Sequence, residues 1–184
     1  MKISGQDFKV KQIVCLALYY GVAQYLPVSY SRCLGGGSRW LRFQLCKRIF
    51  KKCGENINVE RLANFGSGHN IEIGDNSGLG IRCCIPSNTI IGANVMMGPN
   101  CYILPYNHSY AQIDRPMNQQ GFSNIENEQT VISDDIWIGR NVTMTPGRHI
   151  AQGSIIGACC LLCKDFPEYA VVGGNPSRLI KYRK

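Results

Sequence analysis

Residues 132–144 read Ile132-Ser133-Asp134-Asp135-Ile136-Trp137-Ile138-Gly139-Arg140-Asn141-Val142-Thr143-Met144. A large apolar side chain returns at every sixth position, 132, 138 and 144, and a small or apolar one stands two before each, at Thr130, Ile136 and Val142. Neither a helix nor an alternating strand has this period. Six is the period of a parallel β-helix, in which three hexads make one triangular coil of about 18 residues and stacking buries what one coil cannot. Followed forward, the beat runs through Ile150, Ile156 and Leu162; followed back, it reappears at Ile73, Leu79, Ile85, Ile91, Met97 and Ile103. Twelve such hexads give four coils, and a less regular coil is expected ahead of them over 57–71. The smaller positions continue as Ile71, Ser77, Cys83, Thr89, Val95, Cys101, Ser154 and Cys160. Glycine follows the repeat residue at 74, 80, 92, 98, 139 and 157, where it is expected to free the backbone for the turn.

At 184 residues the chain is one domain by length. It divides into an N-terminal helical and amphipathic region, 1–53, a solenoid over 54–172 with an excursion loop at 104–131, and a basic C-terminal tail, 173–184. The net charge of +8 suits an anionic ligand or an anionic membrane surface. Basic residues gather near the N-terminus (Arg39, Arg42, Lys47, Arg48, Lys51, Lys52) and at the C-terminal end (Lys164, Arg178, Lys181, Arg183, Lys184). No aromatic-interleaved basic module is present, so nucleic acid is not an expected partner. The first ten residues are polar and no cleavable leader follows them, so the ten cysteines are expected to be reduced in a cytoplasmic protein. Cys160 and Cys163 have metal-ligand spacing, but no second pair accompanies them and the hexad phase already accounts for Cys160; no metal is expected. Residues 13–28 are apolar but too few to span a bilayer. They fit a helix packed on the solenoid or on a subunit, or one lying on the inner face of a membrane. Gly35-Gly36-Gly37 separates them from a second amphipathic stretch, 40–52.

The beat stops after Ile103 and resumes at Ile132. A coil cannot absorb residues 104–130, so they must loop out, and long excursions from a regular scaffold are commonly functional. The loop opens with Tyr106-Asn107-His108-Ser109-Tyr110. Of the three histidines, His149 precedes an inward isoleucine and reads as a surface residue, and His69 lies in a turn-like Gly-Ser-Gly-His-Asn stretch. His108 is the one poised on the excursion, and imidazole is the side chain best matched to proton transfer near neutral pH.

With the hexads, the Asn107-His108 loop, the Ile136-Trp137-Ile138-Gly139 segment and the ending Gly173-Gly174-Asn175-Pro176, residues 54–183 resemble the hexapeptide-repeat acyltransferases. They are most similar to the branch of maltose and galactoside O-acetyltransferases and of capsule and exopolysaccharide O-acetyltransferases. The resemblance implies a left-handed parallel β-helix, a homotrimer, and acetyl-CoA as co-substrate in the groove between subunits, with no metal. It implies that His108 is the general base for a saccharide hydroxyl attacking the thioester directly in a ternary complex. Ala158 would lie against the pantetheine arm; Lys164 and the backbone of Cys163 match CoA contacts, and Arg178 and Lys181 match basic positions near the nucleotide phosphates. Trp137 would line the groove or pack at a subunit interface. Asn107, Asn76 and Arg82 are the acceptor candidates, and Asp114 and Glu126 the candidates for orienting His108.

Two other readings of the function stay open, an acetyltransferase acting on an antibiotic and a β-helix scaffold without chemistry. The γ-class carbonic anhydrases share this solenoid, but need histidines paired closely on the coils, which His69, His108 and His149 are not.

Overall fold

The computed structural model describes residues 2–3, 6–7, 9–122 and 129–184, the first two pairs as backbone only. The chain forms a left-handed parallel β-solenoid of about six turns. Helices α1 (Val10–Gly21) and α2 (Gly35–Ile49) close its N-terminal end.

Each flat side of the prism is a column of two-residue strands. The first face stacks Lys52–Cys53, Glu72–Ile73, Ile90–Ile91, Val131–Ile132 and His149–Ile150. The second stacks Met96–Met97, Trp137–Ile138, Ile155–Ile156 and Ala170–Gly173, with Asn58–Val59 and Gly78–Leu79 below them. The third stacks Tyr102–Ile103, Thr143–Met144 and Leu161–Leu162, and single bridges extend it down through Cys84 to Asn64. The register puts repeat residue over repeat residue, as in Ile73, Ile91, Ile132 and Ile150. Strands on either side of the excursion pair directly, Met97 with Ile138 and Ile103 with Met144. The solenoid therefore closes over the loop as though it were absent, because the apolar ladder gains more from continuity than the loop costs to close.

All twelve repeat residues are buried, and so are the smaller residues two before them, from Ile71 to Cys160. Cys83, Cys101 and Cys160 are among these, and the thiols of Cys83 and Cys101 donate to the Gly98 carbonyl at 3.2 and 3.1 Å. They fill the core as reduced side chains, and burial pushes the Cys160 thiol up. One hexad departs from this rule: Arg148 stands where a small residue is due, and its half-buried guanidinium reaches Asp165 at 3.4 Å.

The glycines after the repeat residue are not the turn formers. The left-handed backbone falls three residues before the inward side chain, at Asn76, Arg82, Asn94, Asn100, Asp135, Asn141 and Cys159. Asn and Asp tolerate that conformation through local side-chain hydrogen bonds. The glycines answer to stacking instead. A Cβ on Gly98 would come within 2.8 Å of the Arg140 amide nitrogen, and one on Gly139 within 2.9 Å of the Ala158 Cα.

The cap is fastened at a few places. The buried Tyr19 hydroxyl donates to the Ala63 carbonyl at 2.8 Å, and its ring meets Phe65 at 4.6 Å. Arg42 of α2 is fully buried and faces Glu60 of the first coil at 3.6 Å. The first solenoid strand, Lys52–Cys53, begins just ahead of position 54. At the other end the basic tail is ordered: Arg178–Tyr182 returns as a strand antiparallel to Ala170–Gly173 and covers that exposed edge.

Candidate active site

The excursion leaves from the edge between the third and first faces, just after the Leu104 amide bonds the Met144 carbonyl at 3.0 Å. Its opening stretch forms a short ribbon with residues near 122. His108 bridges Phe122, and the Ser109 amide bonds the Gly121 carbonyl at 3.1 Å. The His108 ring lies 4.8 Å from the Phe122 ring, which Tyr106 meets edge-on at 4.6 Å. Backed by these aromatics, the imidazole is exposed, as is Asn107. Among the described residues no hydrogen bond holds either ring nitrogen of His108. Asp114 is exposed and is not joined to it, and Glu126 lies outside the described residues. Ile113, Tyr110 and Met117 are also exposed on this loop.

Lys164 and Cys163 sit at the same edge two coils on. The Cys163 amide bonds the buried Ser177 hydroxyl at 3.2 Å, and that hydroxyl also holds the Cys163 thiol below the usual range. Lys164 lies over the Phe166 ring at 5.4 Å. Arg148, singled out by its break of the hexad rule, approaches the Cys163 carbonyl at 3.4 Å and adds a second cation here.

The other predicted contacts gather on the second face. Met96, Trp137 and Ile155 form a column in register, with Val171 beyond, and Trp137 is 54% exposed. Along the neighbouring edge Gly98, Gly139 and Gly157 stack, and Ala158 follows the last of them. The C-terminal strand brings Arg178 beside Gly173 and Lys181 beside Val171. Trp137, Arg178 and Lys181 therefore share the outer side of the second face, with Ala158 at its edge, so an apolar column runs up to a basic end.

At the lower end of the same face the column is interrupted by Gly78, and a cavity of about 370 Å³ opens between solenoid and cap. Tyr30, Arg39, Asn56, Asn58 and Asn76 line it above a floor that includes Met96. The Asn58 amide nitrogen donates to Ser29 and to Glu60, each at 3.1 Å, which fixes the way the amide points. Its oxygen is buried without a partner. Asn76, one of the acceptor candidates, lies in the lining of this pocket. Arg82 does not: it forms a left-handed corner on the edge beyond, outside this lining. Arg39 and Asn58 had no signal in the hexads, because the cap's docking forms the pocket.

One chain does not bring these parts together. In a triangular prism the edge that carries His108 is opposite the second face. His108 and the second face meet only if a second copy supplies one of them.

No family model matches this chain. It is 31% identical over 139 residues to the galactoside O-acetyltransferase of Lactococcus lactis, covering 73% of this chain and 64% of that one. To the galactoside O-acetyltransferase of Escherichia coli it is 32% identical over 142 residues, covering 76% and 68%. The chain thus spans about two thirds of the length of these curated relatives. Among solved structures it resembles a hexapeptide-repeat acetyltransferase of Vibrio cholerae complexed with acetyl coenzyme A. That match has a TM-score of 0.69 at 25% identity and covers 99% of this chain and 96% of the other. The chain belongs to the hexapeptide-repeat acetyltransferases, the family of enzymes that includes the galactoside O-acetyltransferases.

Proposed function

We propose that this protein transfers acetyl from acetyl-CoA to a hydroxyl of a saccharide, in a capsular or exopolysaccharide or in its lipid-linked precursor. The observation that carries the reading is His108, presented on an aromatic-backed ribbon opposite the face that carries Trp137, Arg178 and Lys181, with Ala158 at its edge. A homotrimer would set His108 of one copy against the second face of the next, and the exposed Tyr110, Ile113 and Met117 are suited to that contact.

In this reading the neutral His108 imidazole takes the proton from the acceptor hydroxyl as its oxygen attacks the thioester carbon. Backbone N–H groups stabilise the tetrahedral oxyanion. Its collapse breaks the carbon–sulfur bond, and the imidazolium returns the proton to the departing thiolate. No acyl-enzyme forms, so no cysteine is needed as a nucleophile. Arg178 and Lys181 meet the phosphates of the co-substrate, with Lys164 and Cys163 contributing from the far edge. The acceptor lies in the pocket of Asn58, Asn76 and Arg39, where a sugar hydroxyl satisfies the unpaired Asn58 oxygen.

Thiol release from acetyl-CoA, followed across sugars, nucleotide sugars and amino-sugar antibiotics, tests the reading and names the acceptor. His108→Ala should keep CoA affinity by calorimetry and lose about 10²–10⁴ in turnover. Unchanged turnover would refute the assignment, and no binding of CoA to the wild type would favour a scaffold.

A further inference from the structure

The charge of this protein is not evenly spread. Residues 1–54 carry ten Lys and Arg against a single acidic residue, Asp7, whereas residues 55–184 carry ten against eleven. The helical cap therefore accounts for the whole net charge of +8. Part of it is answered locally: Lys47 meets Glu55 at 2.9 Å, and Lys51 and Lys52 both meet Glu72 at 2.7 Å. Lys9, Lys11, Arg32 and Arg48 have no carboxylate within ion-pair distance among the described residues. Lys9, Lys11, Arg48 and Lys51 border an open groove of about 580 Å³ between the start of α1 and the end of α2.

Beside that groove α1 turns an apolar side outward. Val10, Val14 and Leu18 follow at four-residue steps and are 73, 52 and 49% exposed, and Val22 and Tyr25, just beyond the helix and also exposed, extend the stripe. Ala17 and Gly21 leave no polar group between them. Among the described residues no helix is long and apolar enough to cross a membrane. An apolar helical stripe beside a cluster of cations is the pattern of a helix lying in the plane of a membrane interface.

The geometry points to α1 as an in-plane anchor on an anionic bilayer. The stripe enters the acyl boundary while Lys9, Lys11 and Arg48 meet lipid phosphates. Charge complementarity selects this occupant over a second copy of the chain, whose solenoid is nearly neutral and whose cap carries the same sign. Anchoring is separate from acetyl transfer, although it would hold the enzyme where a lipid-linked acceptor is found.

Flotation of the full chain with vesicles tests the inference, using phosphatidylcholine alone and an equimolar mixture with phosphatidylglycerol. The protein should rise with the mixed vesicles only, and added salt should release it. Each cation near an anionic leaflet is worth about a fivefold gain in binding, so Lys9→Gln/Lys11→Gln should weaken it roughly 25-fold. Val14→Asp/Leu18→Asp should abolish flotation and leave the oligomeric mass by light scattering and the circular dichroism unchanged. The inference is overturned if the wild type rises with neither vesicle. It is also overturned if Val14→Asp/Leu18→Asp breaks the oligomer, which would make the stripe a subunit contact. A protein without acetyl transfer could still float, so the two readings fail separately.

Discussion

Replacing Arg42 by alanine should loosen the cap from the solenoid and cost the enzyme its acceptor rather than its coenzyme. The guanidinium is fully buried. Its Nε donates to the Val59 carbonyl at 2.5 Å and its Nη1 to the Pro27 carbonyl at 3.0 Å, while Nη2 has only Glu60, at 3.6 Å. Alanine removes the donors from these two carbonyls and from that of Leu26, at 3.4 Å from Nη1, and leaves the Glu60 carboxylate buried without its cation. Breaking a buried ion pair from one side costs about 3–5 kcal/mol. For a chain of this length each kcal/mol lowers Tm by about 2–4 °C, so a fall of roughly 10 °C is expected. Tyr30 and Arg39, both in the N-terminal cap region, line the pocket assigned to the acceptor, so the acceptor KM should rise. CoA affinity by calorimetry should hold, because Trp137, Ala158, Arg178 and Lys181 are carried by the solenoid and its C-terminal strand and not by the cap. Arg42→Met/Glu60→Gln removes both charges and keeps an acceptor for Ser29 and Asn58, so it should recover most of the loss. Melting followed by circular dichroism decides the matter. An Arg42→Ala protein within about 2 °C of wild type would refute the buried-pair argument. So would a double variant as unstable as the single one.

Glu60 should also give the cap an acid limit. Burial works against its carboxylate, but hydrogen bonds from Ser29, Asn58 and the Arg61 amide outweigh that and hold it below the ordinary range. Such a group adds stability above its unfolded pKa, about 4.3, and that stability is lost as pH falls through the lower folded value. Melting temperature should therefore drop below about pH 4 in the wild type and much less in Glu60→Gln. Gly139→Val should cost about 1–3 kcal/mol by denaturant titration, since its side chain meets the Ala158 backbone; an unchanged midpoint would show that the coils do not stack so tightly. Phe122→Ala removes the ring behind His108 and should lower turnover about tenfold with CoA affinity intact, whereas equal losses in both would mean that the ribbon itself had collapsed.

The division between what could be read in the chain and what could not follows from the range of the interactions. A repeat is a local rule: Ile132, Ile138 and Met144 state their spacing to any reader, and the same spacing forces stacking, burial and the expulsion of the loop that bears His108. Gly139 shows the limit even there. Its place in the repeat was legible, but its reason is the backbone one coil above, 18 residues on at Gly157 and Ala158, and no local rule of turns contains that contact.

Nothing in the spacing of Arg42 and Glu60 announces that they meet, nor that Asn58 is left with an unpaired oxygen in a pocket closed by Arg39. Those facts arise where helices dock on the end of a solenoid, and docking depends on shape across long sequence separations. The sequence by itself determined the six-residue period, the fold and the position of the catalytic candidate, because each is carried by neighbours in the chain. Only the tertiary structure decided that His108 and Trp137 lie on opposite sides of one prism, because which edge a residue occupies is set by the winding of the whole coil.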